Sequence, residues 1–561
     1  INVSEGNMLA SKLILKCLED ENVEVIFGYP GGALLPLYEA MRESPIRHIL
    51  VRNEQAAPHY ASGYARVSGR TGVCLATSGP GATNLVTGIA TAYLDSIPLV
   101  VLTGQVNRDL IGTDAFQEAD ITGATEPFTK HSYLVKDASQ LPRIIKEAFY
   151  IASTGWPGPV LIDIPRDVQE ENLRNIDRNP DMNIPGYKPN YKGHTGQIRR
   201  AIRKIKQSKR PVIYAGGGVK LSYAENELLA FAEANQIPVI TTMMGIGCFP
   251  EDHPLYCGIV GSHGYDYSNA IMEEADLCIC VAARMSDRGV AGTQKDIEKM
   301  ELIHIDIDPA EIGKNIENTE IPIVGDARTV LLDLLKRDLN TDTSRWLTRI
   351  SAIKDEIPLL FHQSLENGLA NPKLFFEQLS TVASEDAILF ADVGLNQIWA
   401  ALYYHIYGKR RYFTSGGLGT MGYSIPASAG AAVALGNEAG NEAEDGNKRQ
   451  IYCVCGDGSF QMSLAELAVI SQLGLNINIL LFTNTKLGMV RQLQHDTYGK
   501  DHYSGTDLNF EIDFMKLAQA YGIPSFRAST TEDAVTAAQK AAAIQGPTIV
   551  QIDVDKDFLR I

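Results

Sequence analysis

Two side chains that could bind a hard metal ion stand 27 positions apart in the last third of the chain. Asp457 lies between two glycines in the segment CGDGSF (455–460), and Asn484 follows the mostly apolar residues 477–483. Carboxylate and amide oxygens suit Mg²⁺, whose other ligand positions are usually filled by water and substrate phosphates. Glycines beside Asp457 would let a diphosphate approach the backbone. The pattern predicts a magnesium-diphosphate site that includes the Lys486 carbonyl; for the tripeptide alone, a tight turn after a buried strand is an equal alternative.

Two strands and a helix must position these ligands. Residues 450–455 and 477–483 are strand-like, and residues 463–473 have helical spacing. Asp457 and Asn484 would then lie just past the carboxyl ends of two strands. Open α/β sheets bind their ligands at that edge.

Strand-like and helical segments alternate along the whole chain, which predicts an α/β fold with three doubly wound parallel-sheet domains. A polar passage rich in Pro and Asn separates the first two. The predicted division is a first domain at 1–169, a linker at 170–194, a second domain at 195–340, a linker at 341–371 and a third domain at 372–561.

Composition is typical of a large globular enzyme: 561 residues, 45% of them hydrophobic, with a formal net charge of −17. This charge disfavours a nucleic-acid or anionic-membrane partner, because no basic stripe is present to neutralise phosphates. The longest apolar runs are strand-sized, so no membrane span is predicted. Without a signal-peptide pattern we expect a cytoplasmic protein, or an organellar one if a transit peptide was removed.

Five further motifs accompany the GDG segment and give it a family. They are YPGGA (29–33), EQAA (54–57), GPGATN (79–84), GTDAFQE (112–118) and GGLGTMG (416–422). With them the chain resembles the thiamin diphosphate (ThDP) enzymes, and among these the catalytic large subunits of acetohydroxyacid synthase, also called acetolactate synthase. The resemblance runs nearly end to end. It implies a pyrimidine domain, a central FAD-type domain and a diphosphate domain, in that order.

The resemblance implies a carboligation that begins branched-chain amino acid synthesis. Pyruvate would be decarboxylated on ThDP and its hydroxyethyl unit joined to a second 2-oxo acid, either pyruvate or 2-oxobutyrate. Glu54 stands at the position of the carboxylate that activates the aminopyrimidine; from the residues alone it would be an ordinary glutamate at a helix start. Because the family binds its cofactor between subunits, a homodimer or homotetramer is implied, and a separate regulatory subunit is common in the family.

Most of the predicted site residues follow from the same resemblance. Met421 would hold the two cofactor rings in a bent shape and Gly419 would accept the amine, although methionine is more often core filler. Arg288 would bind the acceptor carboxylate, its alternative being a surface ion pair. The predicted ThDP ligands are Pro30, Gly394, Asn396, Gln397, Gly419, Met421, Gly456, Gly458 and Ser459, the metal ligands are Asp457, Asn484 and Lys486, and the residues close to substrate are Gly32, Phe116, Gln117 and Arg288.

A second cofactor, FAD, is implied for the middle domain, where the family holds it in an extended and largely structural form. The triple glycine 216–218 could equally be a strand-to-helix turn, since it lacks a full G-x-G-x-x-G spacing. The predicted FAD residues are Gly216, Gly217, Gly218, Arg284, Asp306 and Asp326.

Several positions depart from the family pattern, and four of them bear on cofactor or substrate binding. Leu395 and Asn396 replace the usual Gln and His of the diphosphate loop, so we expect weaker ThDP binding. Leu493 and Asn107 stand where Trp and Pro are usual at the substrate channel. Since leucine cannot replace the aromatic contact area of an indole, we expect a weak preference for 2-oxobutyrate over pyruvate and poor inhibition by sulfonylureas.

Other functions on this scaffold stay open. The chain could be another ThDP-dependent 2-oxo acid lyase or decarboxylase, or a pyruvate oxidase with a redox-active FAD. The GTDAFQE motif and Arg288 favour the synthase. A cofactor-binding subunit without turnover is a third possibility, against which the set of Glu54, Asp457 and Asn484 argues.

Overall fold

The computed structural model describes residues 7–290, 297, 299–316, 319–337, 339, 341–358, 368–438, 448–510 and 512–556. They form three six-stranded sheets in which every pairing is parallel, and helical segments separate most successive strands. The predicted α/β fold with three parallel-sheet domains is therefore confirmed. Among the described residues, every helix is too short or too polar to span a bilayer.

The first sheet has the strand order β3-β2-β4-β5-β7-β6, and a short antiparallel pair, β1 with β8, lies beside it. β8 lies within the predicted linker, so the start of that linker folds back on the first domain. Strands β1 to β8 are Met8–Leu9, Val25–Tyr29, Arg47–Leu50, Gly72–Ala76, Leu99–Gln105, His131–Leu134, Pro159–Pro165 and Asn172–Leu173. The helical segments are Ala10–Asp20, Gly32–Leu34, Leu35–Met41, Ala56–Ser68, Pro80–Asn84, Val86–Leu94, Arg108–Leu110, Ile121–Thr125, Glu126–Phe128, Ala138–Gln140, Leu141–Ser153 and Arg166–Gln169.

The second sheet has a different order, β11-β10-β9-β12-β13-β14, in which the chain adds strands first to one side of β9 and then to the other. This is the order of dinucleotide-binding folds. Strands β9 to β14 are Pro211–Ala215, Val239–Thr241, Tyr256–Ile259, Leu277–Val281, Glu301–Asp306 and Thr319–Val324. The described helical segments are Thr195–Gln207, Gly218–Leu221, Glu225–Asn235, Met243–Gly245, Asp266–Glu274, Asp287–Val290, Ala327–Leu335 and Ser344–Glu356.

The third sheet, β16-β15-β17-β18-β20-β19, repeats the strand order of the first. Its four central strands are buried on both faces, as is usual when helices cover a parallel sheet on both sides. Strands β15 to β20 are Ile388–Ala391, Arg411–Thr414, Ile451–Gly456, Asn478–Thr483, Ser525–Ala528 and Thr548–Asp553. The described helical segments are Pro372–Val382, Leu395–Tyr403, Ser424–Ala434, Asp457–Met462, Leu464–Glu466, Leu467–Leu473, Gly488–Tyr498, Phe514–Ala520 and Thr531–Ala542.

The first and third domains share one hydrophobic core. Helices Ala56–Ser68 and Ser424–Ala434 cross in backbone contact, because a Cβ at Gly63 would lie 1.8 Å from the Ala427 carbonyl oxygen and one at Gly430 would lie 1.9 Å from that of Tyr60. Only glycine permits so close a crossing. The domain with the GDG segment and the domain with Glu54 are thus fixed relative to each other.

The second and third domains meet at a histidine between two carboxylates. Glu251 Oε2 of the second domain lies 3.5 Å from His405 Nδ1 and accepts the Ile406 N–H at 3.1 Å. On the other side of the ring, His405 Nε2 lies 3.1 Å from Glu377 Oε2. Hydrogen bonds to Glu251 and Glu377 raise the pKa of His405 to about 9.

We expect this histidine to stabilise the fold at neutral pH and to lose that effect as pH rises from about 6.5 to about 9. A group whose folded pKa is raised contributes fully below its unfolded pKa and nothing above its folded pKa. The difference in melting temperature between the unaltered protein and His405→Gln should therefore shrink across this window. A difference that stays constant from slightly acidic to strongly basic pH would contradict the prediction.

Candidate active site

A cavity opens at the carboxyl edge of the third sheet, where the strand order reverses between β15 and β17. It is lined by residues 393–396, Trp399, Met421, residues 456–459, Phe482, Asn484, residues 486–490 and Val554, all of the third domain. Of the predicted cofactor and metal residues, the cavity brings together Gly394, Asn396, Met421, Gly456, Asp457, Gly458, Ser459, Asn484 and Lys486.

Asp457 begins a short helix at the end of β17 and is only 4% exposed. Its Oδ2 accepts the backbone N–H of Asn484 at 3.1 Å and that of Thr485 at 2.6 Å. Burial raises the pKa of this carboxyl group, and these N–H donors act against the shift. The Asn484 side-chain oxygen accepts the Lys486 N–H at 3.0 Å. The metal residues predicted from two distant segments are therefore adjacent in space.

The diphosphate loop after β15 carries the two departures from the family pattern. Leu395 is buried and packs against Gly488, which also lines the cavity. Asn396 Nδ2 donates to the Asp392 carbonyl at 2.7 Å, which directs Oδ1 between Gly394 and Gly456. The cavity wall here presents one amide oxygen and one apolar side chain.

Gln397 and Gly419 differ from the other predicted ThDP ligands. The Gln397 amide donates to the Thr414 hydroxyl at 2.6 Å inside the third domain, and this residue does not line the cavity. Gly419 has a φ of +76° and open space where a Cβ would project, so its loop leaves room for a ligand. Met421, in the same loop, lies across the cavity from Gly458, where a Cβ would be 3.5 Å from the methionine methyl group.

Asp392 is a buried residue for which the sequence analysis assigned no role. Its carboxylate accepts the N–H groups of Val393 at 2.9 Å, Gly422 at 2.9 Å and Ser424 at 2.8 Å, and the Ser424 hydroxyl at 2.8 Å. Burial raises its pKa to about 6. Asp392 thus ties the diphosphate loop to the Met421 loop. A second acidic residue at a strand end, before Val-Gly, was the available signal in the sequence.

Glu54 lies at the carboxyl edge of the first sheet and does not line the cavity. Its Oε2 accepts from Asn84 Nδ2 at 3.0 Å, and a Cβ at Gly81 would be 3.6 Å from its Oε1. Asn84, which belongs to the GPGATN motif, thus has a contact that the motif alone did not predict. Nearby, the exposed Pro30 and the open Gly32 follow β2. The predicted pyrimidine-side residues therefore form a separate group in the first domain.

Phe116 stands out from this group because its ring is 88% exposed. The loop that carries it is held by Glu118, whose carboxylate accepts the N–H groups of Gly112 and Ala115, and these bonds lower the pKa of Glu118. Gln117 has a φ of +60°, and its backbone packs directly against Gly79. The Phe116 ring is therefore open to solvent on a loop that is held in place by hydrogen bonds.

Arg288, the predicted acceptor-binding residue, lies in the short helix Asp287–Val290 of the second domain. Its side chain is 64% exposed, and its guanidinium is 3.9 Å from Asp287. This is a weak surface pair, so the guanidinium is accessible to an anionic ligand. It does not line the cavity of the third domain.

The predicted FAD residues lie at the carboxyl ends of β9, β12, β13 and β14, and the strand order of this sheet reverses between β9 and β12. Gly216 and Gly218 are in close contact with Ala282, where a Cβ would lie 2.2 Å and 2.7 Å from its atoms. Asp326 caps the helix Ala327–Leu335 by accepting the Thr329 N–H at 2.9 Å. The absence of side chains at Gly216 and Gly218 therefore allows the loop after β9 to pack closely on the segment after β12.

The remaining predicted FAD residues line the same edge. Gly217 lies against Met244. Arg284 is half-buried and acts electrostatically on Asp95 of the first domain, so it lies near the boundary of the two domains. Asp306 is 8% exposed, and burial raises its pKa to about 6.

Three family models match the chain. The thiamine pyrophosphate enzyme N-terminal TPP binding domain matches residues 8–124, the thiamine pyrophosphate enzyme central domain matches 198–334, and the C-terminal TPP binding domain matches 392–552. Each match falls on one of the three sheets.

Relatives match over nearly the full chain. The chain is 45% identical to the probable acetolactate synthase large subunit of Methanocaldococcus jannaschii, with 98% of this chain and 92% of the relative covered. It is 44% identical to the acetolactate synthase large subunit of Corynebacterium glutamicum, with 98% and 87% covered. It is 43% identical to that of Lactococcus lactis subsp. lactis, with 91% and 87% covered. The similarity extends over all three domains.

Proposed function

We propose, from the premise that the chain belongs to the acetolactate synthase large subunits of the thiamine pyrophosphate enzyme family, that it joins two 2-oxo acids on thiamin diphosphate. Pyruvate is decarboxylated and its hydroxyethyl unit is ligated to a second 2-oxo acid, which is the first common step of branched-chain amino acid synthesis. The observation that carries the proposal is the cavity that joins Asp457, Asn484 and Met421.

The cavity suits a magnesium diphosphate. Asp457 and Asn484 offer hard oxygens, and among the described residues no group of three or more His, Cys, Asp or Glu side chains could form a metal cage. A site with few protein ligands is what Mg²⁺ uses when phosphates and water complete its shell. When bound, thiamin diphosphate supplies an electron sink for loss of CO₂. Gly394 and Gly456 line the cavity without side chains of their own, so their backbone would be within reach of the diphosphate, and Met421 would support the rings.

In this proposal, Glu54 and Phe116 come from a second copy of the chain. Every residue that lines the cavity belongs to the third domain, whereas Glu54 lies in the first domain, which is fixed to the third by the shared core. The exposure of Phe116 agrees with this arrangement. In a homodimer, Glu54 of one chain would face the cavity of the other and hold a proton at a ring nitrogen of the cofactor. A site built from two chains makes the oligomer obligatory.

Two further roles complete the proposal. Arg288 binds the carboxylate of the acceptor, because its exposed guanidinium can form two parallel hydrogen bonds with a carboxylate. FAD occupies the crevice of the second sheet between β9 and β12, which is supported by the strand order and by the position of Gly217. Spectra of the purified protein, with flavin released on denaturation, would test the second role.

The proposed function is tested by product analysis. Purified protein with Mg²⁺, ThDP and FAD is given pyruvate alone, then pyruvate with equimolar 2-oxobutyrate. We expect CO₂ and acetolactate from pyruvate alone. Oxygen consumption with bleaching of the flavin would instead support a pyruvate oxidase, and CO₂ without an acetohydroxy acid would support a decarboxylase.

Leu493 is expected to limit the choice of acceptor. It lies on the helix Gly488–Tyr498 and is 42% exposed. Leu493→Trp adds aromatic contact area worth about 1 to 3 kcal/mol, so the preference for 2-oxobutyrate over pyruvate should rise by about fivefold or more. Sulfonylurea inhibition should strengthen in the same variant. The product ratio from mixed substrates measures the effect, with Tyr498→Trp on the same helix as control; an unchanged ratio in Leu493→Trp would contradict the prediction.

The altered diphosphate loop is expected to weaken cofactor binding. The Leu395 side chain can form no hydrogen bond. The side-chain amide of Asn396 donates to the Asp392 carbonyl rather than to the diphosphate. Restoring polar side chains in the double variant Leu395→Gln, Asn396→His should tighten ThDP binding by about tenfold, the effect of one hydrogen bond to a charged group. Fluorescence titration at physiological Mg²⁺ measures this. A submicromolar dissociation constant for the unaltered protein would rule out the premise.

A further inference from the structure

A side chain of the third domain, that of Glu466, accepts hydrogen bonds from the backbone immediately before Glu54. Glu466 is 1% exposed and ends the helical turn Leu464–Glu466. Its Oε1 accepts the N–H of Arg52 at 2.9 Å and that of Asn53 at 3.0 Å. These two residues connect strand β3 to Glu54 and the following helix. One carboxylate oxygen of the third domain therefore fixes the chain one and two residues before the proposed catalytic glutamate.

This contact serves position rather than charge pairing. The Arg52 guanidinium is directed elsewhere, donating to the Leu50 carbonyl at 2.7 Å and to Gln472 Oε1 at 2.8 Å. The hydrogen-bond donors to Glu466 Oε1 are thus two backbone N–H groups. Burying a carboxylate is unfavourable, and burial raises the pKa of Glu466 to about 7. We therefore attribute the burial of Glu466 to its hydrogen bonds, which hold the backbone of Arg52 and Asn53 in position.

The contacts around Glu54 other than those of Glu466 hold its side chain and the backbone that follows it. After Glu54, the backbone is anchored by the helix start, where the Ala57 N–H donates to the Glu54 carbonyl at 3.0 Å. The Glu54 side chain is oriented by Asn84 at 3.0 Å. Before Glu54, the backbone N–H groups of Arg52 and Asn53 both donate to Glu466. Glu466 also belongs to the segment that begins with Asp457, so one stretch of the third domain carries the proposed metal ligand and this anchor.

We propose that Glu466 is a positioning residue that sets where the Glu54 carboxylate stands for the reaction. The proposal rests on the role of Glu54 under the proposed function. A misplacement of about 1 Å at a reacting group can lower the rate by about a hundredfold. Glu466 holds the segment that leads into Glu54, and its loss lets that segment shift while the magnesium-diphosphate cavity stays intact.

The test compares three substitutions of Glu466 in the full-length protein with Mg²⁺, ThDP and FAD. Glu466→Ala should lower kcat for acetolactate formation by about ten- to a hundredfold and leave the apparent dissociation constant for ThDP within about threefold. Glu466→Gln keeps an oxygen that can accept both N–H groups, so kcat should return to within about threefold. Glu466→Asp keeps the charge but is one methylene short, and it should resemble the alanine variant.

Glu438→Ala is the matched control. Glu438 is a third-domain carboxylate, 8% exposed, that binds the first domain through an ion pair with Arg47. It contacts strand β3 rather than the residues next to Glu54. Its loss should therefore leave kcat within about twofold, the effect expected where no reacting group is displaced.

Glu54→Gln separates failure of this inference from failure of the proposed function. If Glu54→Gln stays active, the role of Glu54 is wrong and the premise falls. If Glu54→Gln is inactive, an unaltered kcat in Glu466→Ala or Glu466→Asp overturns the inference. A Gln variant as slow as the Asp variant, or a loss of ThDP affinity that matches the loss of kcat, also overturns it.

Discussion

Glu54→Gln is expected to lower kcat for acetolactate formation by a factor of about 10² to 10⁴, which is what a positioned acid-base group contributes. The carboxylate can hold or release a proton at the ring nitrogen that it faces, whereas an amide cannot titrate. Glutamine keeps an oxygen that can accept the Asn84 N–H, which Glu54 accepts at 3.0 Å. Fold and ThDP binding should therefore be retained while turnover is lost.

The measurement is acetolactate formed from pyruvate, with ThDP binding followed separately by fluorescence. Glu39→Gln is the control, since Glu39 lies in the same domain with its side chain 72% exposed and paired with Arg42 at 3.0 Å. Its activity should match that of the unaltered protein. Activity of Glu54→Gln within tenfold of normal would exclude the carboxylate as the activating group.

The fold and the third-domain site follow from local patterns in the sequence. Buried strands of a parallel sheet are continuous apolar runs, and polar residues just after such runs, such as Asp457 and Asn484, are brought together by the sheet itself. The pairing of β17 with β18 places their carboxyl ends side by side. That is why two ligands 27 positions apart could be predicted as one site.

Contacts between distant parts of the chain could not be predicted in this way. The hydrogen bonds from Arg52 and Asn53 to Glu466 span more than 400 positions and depend on how the first and third domains pack. The role of Asp392 depends on a loop 30 positions away that returns to it. For Gly216, sequence cannot separate a ligand cradle from tight packing, because both require the absence of a side chain.

The second sheet shows what connectivity adds to sequence. Its triple glycine is a weak motif, whereas the reversal of strand order between β9 and β12 is the feature shared by dinucleotide-binding folds. Strand order is set by which helix crosses which face, and it is not encoded by any one segment. The case for FAD therefore rests on topology rather than on the glycines.

Asp457→Asn is expected to weaken Mg²⁺-dependent ThDP binding by about a hundredfold or more, since even an indirect partner of a metal site can change affinity by 10- to 100-fold. Mg²⁺ prefers anionic oxygen, and the amide that replaces it is neutral. The Asn side chain can still accept the N–H groups of Asn484 and Thr485, so the loop should keep its shape.

Because burial disfavours the Asp457 charge, the cofactor-free Asp457→Asn variant should melt no lower than the unaltered protein. Mg²⁺ titrations of ThDP binding measure the effect, with Asp507→Asn as a comparison, because Asp507 does not line the cavity but pairs with Lys486, which does. If Asp457→Asn binds Mg²⁺ and ThDP normally while Asp507→Asn does not, the metal ligand has been assigned to the wrong acid.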